Sequence, residues 1–198
     1  MTTVFFDVDT QIDFLYPAGA LYVPGAEKIL GALARLNHYA AEHGNVVIST
    51  MDAHAEDDPE FRQWPPHCVA GTTGQQKPAA TLLDKRVVIP NAACETNIRG
   101  AQQGVQQILL EKQTLDCFTN VHLARTLASL AAERYVVYGV VTEICVKFAA
   151  LGLLKTGVRV ELVTDAIRGL DDSAAADMRR EFTAQGGVLT TLDAVTAS

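Results

Sequence analysis

Short apolar runs alternate along this chain with stretches whose apolar residues recur every three or four positions. The first run, Val4-Phe5-Phe6-Asp7-Val8-Asp9, reads as a buried strand over residues 4–9. The spacing then predicts a helix over 25–43, with Ile29, Leu30, Leu33 and Leu36 on one face and Gly44 as its stop signal. Further strands are expected at 46–51, 86–89, 107–112, 135–141, 158–164 and 188–192, that at 86–89 being the weakest. Helices are expected at 120–134, 143–156 and 173–185. Strands that alternate with helices imply parallel crossovers and a sheet covered on both faces. The expected fold class is α/β: a single domain over residues 1–198, about six parallel strands, helices on both sides. Residues 52–78 are polar and proline-rich and follow neither period. A loop of that length in a compact domain is usually functional.

Composition narrows the partners. The chain has 198 residues, 48% hydrophobic and 20% charged, with 16 Lys and Arg against 23 Asp and Glu for a net charge of −7. That is globular composition and excludes a disordered chain. Wrapping a phosphate backbone needs clustered Lys and Arg, which the sequence lacks, so nucleic acid is excluded as a partner. No apolar run approaches the ~20 residues that span a bilayer, so no membrane partner is expected. The amino terminus carries no cationic region and its apolar run is cut by Asp7, so a cytoplasmic protein without a signal peptide is expected. In that compartment Cys68, Cys94, Cys117 and Cys145 are expected as thiols and not as a disulfide framework.

In open α/β sheets ligands bind beyond the carboxyl ends of the strands. Asp9 ends the first strand, Asp52 follows the second with His54 two residues on, and Lys112 ends the strand at 107–112. Cys145 falls in the first turn of the helix after the strand at 135–141, with Thr142 as candidate N-cap. Backbone N–H groups and the helix dipole there favour a thiolate and can hold an oxyanion, and Lys112 would lower the thiol pKa further. Asp9 would take the thiol proton. A buried Cys is also a common small apolar filler. Asp52, His54 and His67 form a candidate metal site suited to Zn²⁺, Fe²⁺ or Mn²⁺, with Glu60 and Cys68 as possible additions. Phe14 and Trp64 are candidates to sandwich a flat ring, with core packing as the other reading.

A competing motif overlaps the first strand. Phe5-Phe6-Asp7-Val8-Asp9-Thr10 fits the Asp-x-Asp-x-Thr nucleophile motif of haloacid-dehalogenase-like phosphatases, with Asp7 attacking phosphorus beside Mg²⁺ and Asp171-Asp172 as the metal pair. That reading leaves Cys145, Lys112, His54 and His67 idle.

Taken together, the motifs resemble the nicotinamidase branch of the isochorismatase-like cysteine hydrolases over nearly the whole chain. Asp9-Thr10-Gln11-Ile12-Asp13-Phe14 resembles the family's opening Asp-x-Gln-x-Asp-Phe. Asp52-Ala53-His54 and Trp64-Pro65-Pro66-His67-Cys68 resemble its metal segments, Lys112 its triad lysine, and Gly139-Val140-Val141-Thr142-Glu143-Ile144-Cys145-Val146 its nucleophile turn. The resemblance implies a three-layer Rossmann-like fold, often assembled as homo-oligomers, and a triad of Asp9, Lys112 and Cys145. It also implies a cis peptide between Val140 and Val141 that aims the amides of Val141 and Cys145 at an oxyanion, and a divalent metal, zinc first, on Asp52, His54 and His67. The expected reaction is hydrolysis of nicotinamide to nicotinate and ammonia, Lys112 helping to hold Cys145 as thiolate. Pyrazinamide-, maleamate- and ureido-like amides are the alternative substrates. Ile12, Glu60, Ile144 and residues 113–120 depart from the family pattern, and such wall positions choose the amide.

Overall fold

The computed structural model describes residues 1–93 and 104–197. Seven strands form one all-parallel sheet: β1 (Thr3–Val8), β2 (Val46–Asp52), β3 (Arg86–Ile89), β4 (Gln107–Lys112), β5 (Arg134–Val140), β6 (Arg159–Arg168) and β7 (Val188–Thr190). Their order is β3-β4-β2-β1-β5-β6-β7. The weak run at 86–89 forms the edge strand β3, which brings the count to seven against the six or so expected.

Among the described residues the α-helices are α1 (Ile12–Leu15), α2 (Leu30–Glu42), α3 (Leu123–Leu130), α4 (Lys147–Leu154), α5 (Asp172–Ala184) and α6 (Leu192–Thr196). Side chains alternate across a strand, so β1 sends Val4, Phe6 and Val8 into one core and Phe5 into the other. The first core is closed by Leu127 of α3, Leu153 of α4 and Met178 and Phe182 of α5. The second is closed by Leu33, Leu36 and Ala40 of α2 and Val195 of α6. This is the expected three-layer α/β arrangement. Among the described residues no helix is long and apolar enough to cross a membrane.

Element ends differ from the sequence reading for local reasons. The helix expected at 25–43 begins as a 3-10 turn, Ala26–Ile29, entered from Gly25 at φ +82°. The helix expected at 120–134 is shorter, because Ala131 adopts a left-handed conformation and Arg134 already pairs in β5. The strand expected at 188–192 stops at Thr190, and Thr191 accepts from the Ala194 amide to cap α6. β6 runs on to Arg168 across a register shift against β5. The turn expected to open a helix at 143 is a π-turn, Thr142–Val146, whose cap is Val141 and not Thr142. The Val141 carbonyl accepts from the Ile144 and Val146 amides at 3.0 and 3.1 Å.

Candidate active site

Strand order decides which side chains meet. β4, β2, β1 and β5 are consecutive in the sheet, so the residues at their carboxyl ends share one rim. Asp52 and Lys112 are direct register partners of β2 and β4. The Lys112 ammonium donates to Asp52 Oδ1, lies 2.8 Å from Asp9 Oδ2 and 3.9 Å from Cys145 Sγ. Thr50 donates to Asp9 Oδ1 at 2.6 Å. Asp9, Lys112 and Cys145, far apart in the sequence, thus form one buried cluster. The Val140–Val141 peptide is cis, as the resemblance implied.

The electrostatics correct one expectation. Cys145 is only 6% exposed, and burial pushes its thiol well above the ordinary value. Lys112 opposes this, but the Asp9 and Asp52 carboxylates add to it. Burial thus works against the thiolate that the helix start and Lys112 were expected to favour, and the two carboxylates paired with the ammonium offset much of its help. Burial alone would lower the Lys112 pKa; Asp52 and Asp9 outweigh it and raise it well above the usual lysine value. Burial raises the Asp9 pKa, with Lys112 opposing, which suits a carboxylate that accepts a proton.

Beside this cluster, Asp52, His54 and His67 offer ligand atoms that all lie within 4.8 Å of one another. Asp52 Oδ2 is 3.9 Å from His54 Nε2 and 3.8 Å from His67 Nε2, and Glu60 Oε1 is 4.0 Å from each nitrogen. The far ring nitrogens are held: His54 Nδ1 by Asp58 at 3.0 Å and His67 Nδ1 by the Pro65 carbonyl at 2.8 Å. Those partners set the tautomers and leave both Nε2 atoms facing the centre. His54 Nε2 is buried with no hydrogen-bond partner. An orphaned imidazole nitrogen facing a carboxylate and a second imidazole fits a divalent cation. The loop is folded to make this set: His54 bridges to Val69, with its amide donating to the Cys68 carbonyl and its carbonyl accepting from the Ala70 amide.

Cys68 does not join the group. Its amide donates to Asp13 Oδ2 at 2.7 Å while its sulfur turns to the Gly74 carbonyl. Asp13 also accepts from the Ala20 amide, so it ties the segment after β1 to the long loop. Cys117 is packed in the core, and Cys94 lies outside the described residues. Asp7 cannot serve a phosphatase: it is fully buried and bound by Thr10, Asn37, Ser49 and Lys77. Asp171 caps α5 instead of holding a metal.

A narrow pocket opens beside the two clusters. Phe14 and Trp64 line it, Phe14 also packing in the second core, with Leu21, Leu115, Ile144 and Leu170 completing the apolar wall. Asp52, Glu60, His67 and Cys145 supply the polar side, beside Val141. Ile144 and, within residues 113–120, Leu115 are among the departures that the sequence reading marked as wall positions; it missed Leu21 and Leu170, since single leucines in loops carry no signal. It also missed two supports. Gln11 clamps the Asp52 backbone, donating to its carbonyl at 2.9 Å and accepting from its amide at 2.7 Å. Asp58, four residues after His54, was legible only as a cap before Pro59.

A parallel α/β sheet bearing a thiol, an ammonium and a carboxylate at one rim defines the class, and the Isochorismatase domain model matches residues 3–194: the chain belongs to that family. Within it, the nicotinamidase of Escherichia coli is 28% identical, the match covering 93% of this chain and 92% of that one. The nicotinamidase/pyrazinamidase of Mycobacterium tuberculosis is 24% identical over 89% of this chain and 92% of its own. The solved structure of the pyrazinamidase of Pyrococcus horikoshii in complex with zinc has a TM-score of 0.81 at 26% identity, covering 96% of this chain and 99% of that one. The N-carbamoylsarcosine amidase from Thermoplasma acidophilum shares the fold with a TM-score of 0.76 at 23% identity, over 98% of each chain.

Proposed function

We propose that this protein hydrolyses the amide C–N bond of a small neutral carboxamide, nicotinamide first, to the acid and ammonia through a thioester on Cys145. The observation that carries the reading is the buried cluster of Asp9 and Lys112 with Cys145, whose side chain lines an apolar pocket. The relatives named nicotinamidase and pyrazinamidase support it.

Asp9 takes the Cys145 proton as the sulfur attacks the amide carbon. The amides of Val141 and Cys145 receive the oxyanion. The C–N bond breaks as Asp9 returns the proton to nitrogen, and ammonia leaves. Asp9 then deprotonates a water, whose oxygen attacks the thioester carbon, and the C–S bond breaks to restore the thiol. Lys112 holds Asp9 and Asp52 in place and balances their charge. Asp52, His54 and His67 would hold a divalent ion, zinc first, which when bound supplies a positive charge that attracts a ring nitrogen or water. Phe14 and Trp64 would flank a flat ring.

The wall separates substrate classes. Among the described residues no Lys or Arg lines the pocket, while Asp52 and Glu60 do. Maleamate- and ureido-type acids would find no guanidinium or ammonium on the wall to pair with their carboxylate, only the ion that Asp52, His54 and His67 would hold, which favours a neutral ring amide such as nicotinamide or pyrazinamide. The test is ammonia release from nicotinamide by wild-type and Cys145→Ala protein, with metal content measured on both. The substitution should cost at least about 10³-fold in kcat while leaving the fold and the metal in place. Undiminished turnover by Cys145→Ala overturns the mechanism.

A further inference from the structure

A second buried ion pair lies beside the first, and the chemistry above does not use it. Lys77 Nζ is 3.0 Å from Asp7 Oδ2, and both side chains are fully buried. Burying two charges is costly unless hydrogen bonds satisfy what the pair leaves open. Here they do. Asp7 Oδ2 accepts from Ser49 at 3.0 Å and Asn37 at 3.2 Å, and Oδ1 accepts from Thr10 at 2.7 Å. Lys77 donates to the Thr10 hydroxyl at 2.5 Å. Asn37 is fixed in turn by the Tyr138 hydroxyl. The Thr10 hydroxyl therefore receives from Lys77 and donates to Asp7.

Thr10 follows Asp9, where the chain leaves β1 with φ at +49°, a left-handed conformation unfavourable for a residue with a side chain. Something must hold that turn, and backbone contacts do part of it. The Asp9 amide donates to the carbonyl and hydroxyl of Thr50, each at 3.2 Å, and the Gln11 amide donates to the Asp9 carbonyl at 2.8 Å. Beyond the Thr50 hydroxyl and Lys112, which hold Asp9 itself, the turn is held by the Thr10 side chain, locked between Lys77 and Asp7. Asp7 is anchored by register, since it pairs with Ser49 across β1 and β2. Lys77 comes from the far end of the loop that bears His54 and His67. Its neighbours run alongside, with the Gln76 carbonyl accepting from the Ile12 amide and the Gln75 carbonyl from the Gln11 side chain.

We propose that Lys77 and Asp7, acting through Thr10, are positioning residues for the base: a buried ion pair that sets the turn presenting Asp9 to Cys145 and fastens the end of the metal-bearing loop to it. This rests on Asp9 being the base. Neither residue touches the pocket, so their effect falls on the chemical step more than on substrate binding. A pair that only filled space could be replaced by uncharged groups of similar size without loss of activity.

The experiment compares steady-state ammonia release by wild-type, Asp9→Asn, Thr10→Val, Thr10→Ser, Lys77→Met and the double variant Lys77→Met/Asp7→Asn, using the amide that the wild type turns over. Thr10→Val and Lys77→Met should lose about 10- to 100-fold in kcat with KM little changed, as expected when a catalytic group is misplaced by a fraction of an ångström to an ångström. Thr10→Ser keeps the hydroxyl and should restore kcat. The double variant leaves no unpaired buried charge, so its melting temperature should recover relative to Lys77→Met while its kcat stays low. Wild-type kcat in Thr10→Val beside an inactive Asp9→Asn overturns this proposal alone. Recovery of kcat together with stability in the double variant also overturns it, since the role would then be structural. Turnover by Asp9→Asn at the wild-type rate overturns the base assignment, and the proposal falls with it.

Discussion

Asp52 is shared between two clusters. One carboxylate oxygen takes the Lys112 ammonium while the other faces the ring nitrogens of His54 and His67. Burial alone would raise its pKa, and Lys112 and the imidazoles outweigh that and hold it below the ordinary carboxylate value. Asp58 acts one step further out, through His54 Nδ1. Removing such an outer partner typically costs a metal site about 10- to 100-fold in affinity, and Asp58→Ala should do so in a zinc competition titration against a chelator. Unchanged affinity would show that His54 keeps its tautomer and orientation without Asp58. The candidate residues were legible in the sequence because thiol, ammonium, carboxylate and imidazole are rarely gathered at strand ends without a use. Their protonation was not. Cys145 looked like a thiolate from its place near a helix start, but burial and two nearby carboxylates push its thiol pKa up.

At the scale of elements, β5 and the turn after it carry the most constraint. Gly139 has φ +121°, and a Cβ there would lie 2.1 Å from the Val8 carbonyl oxygen and 2.8 Å from the Val8 amide nitrogen. Both are backbone atoms and cannot step aside. Gly139→Ala should therefore cost about 3 kcal/mol in urea unfolding and displace the nucleophile turn, lowering kcat as well. A loss confined to a few tenths would mean that β5 can shift against β1. The opposite substitution applies at the end of α3, where Ala131 takes a left-handed conformation at φ +47°. Ala131→Gly should raise stability by about 0.5–1 kcal/mol, read as a higher midpoint in the same unfolding experiment. The periodicity located every strand and the longer helices. It missed α1 and α6, four and five residues long, because so few positions hold less than two turns of pattern. It overran α3, because a left-handed alanine carries no compositional mark.

Across the whole molecule, charge bears on stability away from the site. Glu161 on β6 pairs with Arg134 at 2.6 Å and Arg159 at 2.7 Å. Burial alone would raise its pKa; the two guanidinium groups outweigh it and hold it low. A carboxylate whose folded pKa is depressed contributes stability above the unfolded value of about 4.3 and loses it as pH falls through the lower folded value. Melting curves of wild type should therefore fall more steeply than those of Glu161→Gln below that pH, and parallel curves would show that the pairs contribute nothing. The alternating pattern of strands and helices determined a parallel α/β sheet, because a crossover needs a helix and both sheet faces must be covered. The residue types at strand ends determined the kind of chemistry available. Strand order was settled only in the folded chain: β4-β2-β1-β5 adjacency is a long-range choice that no local pattern encodes, and it brings Lys112, Asp52, Asp9 and Cys145 into contact. The pocket wall was likewise settled there, since Leu21, Leu115 and Leu170 come from separate loops and meet only once the sheet has brought those loops to one rim.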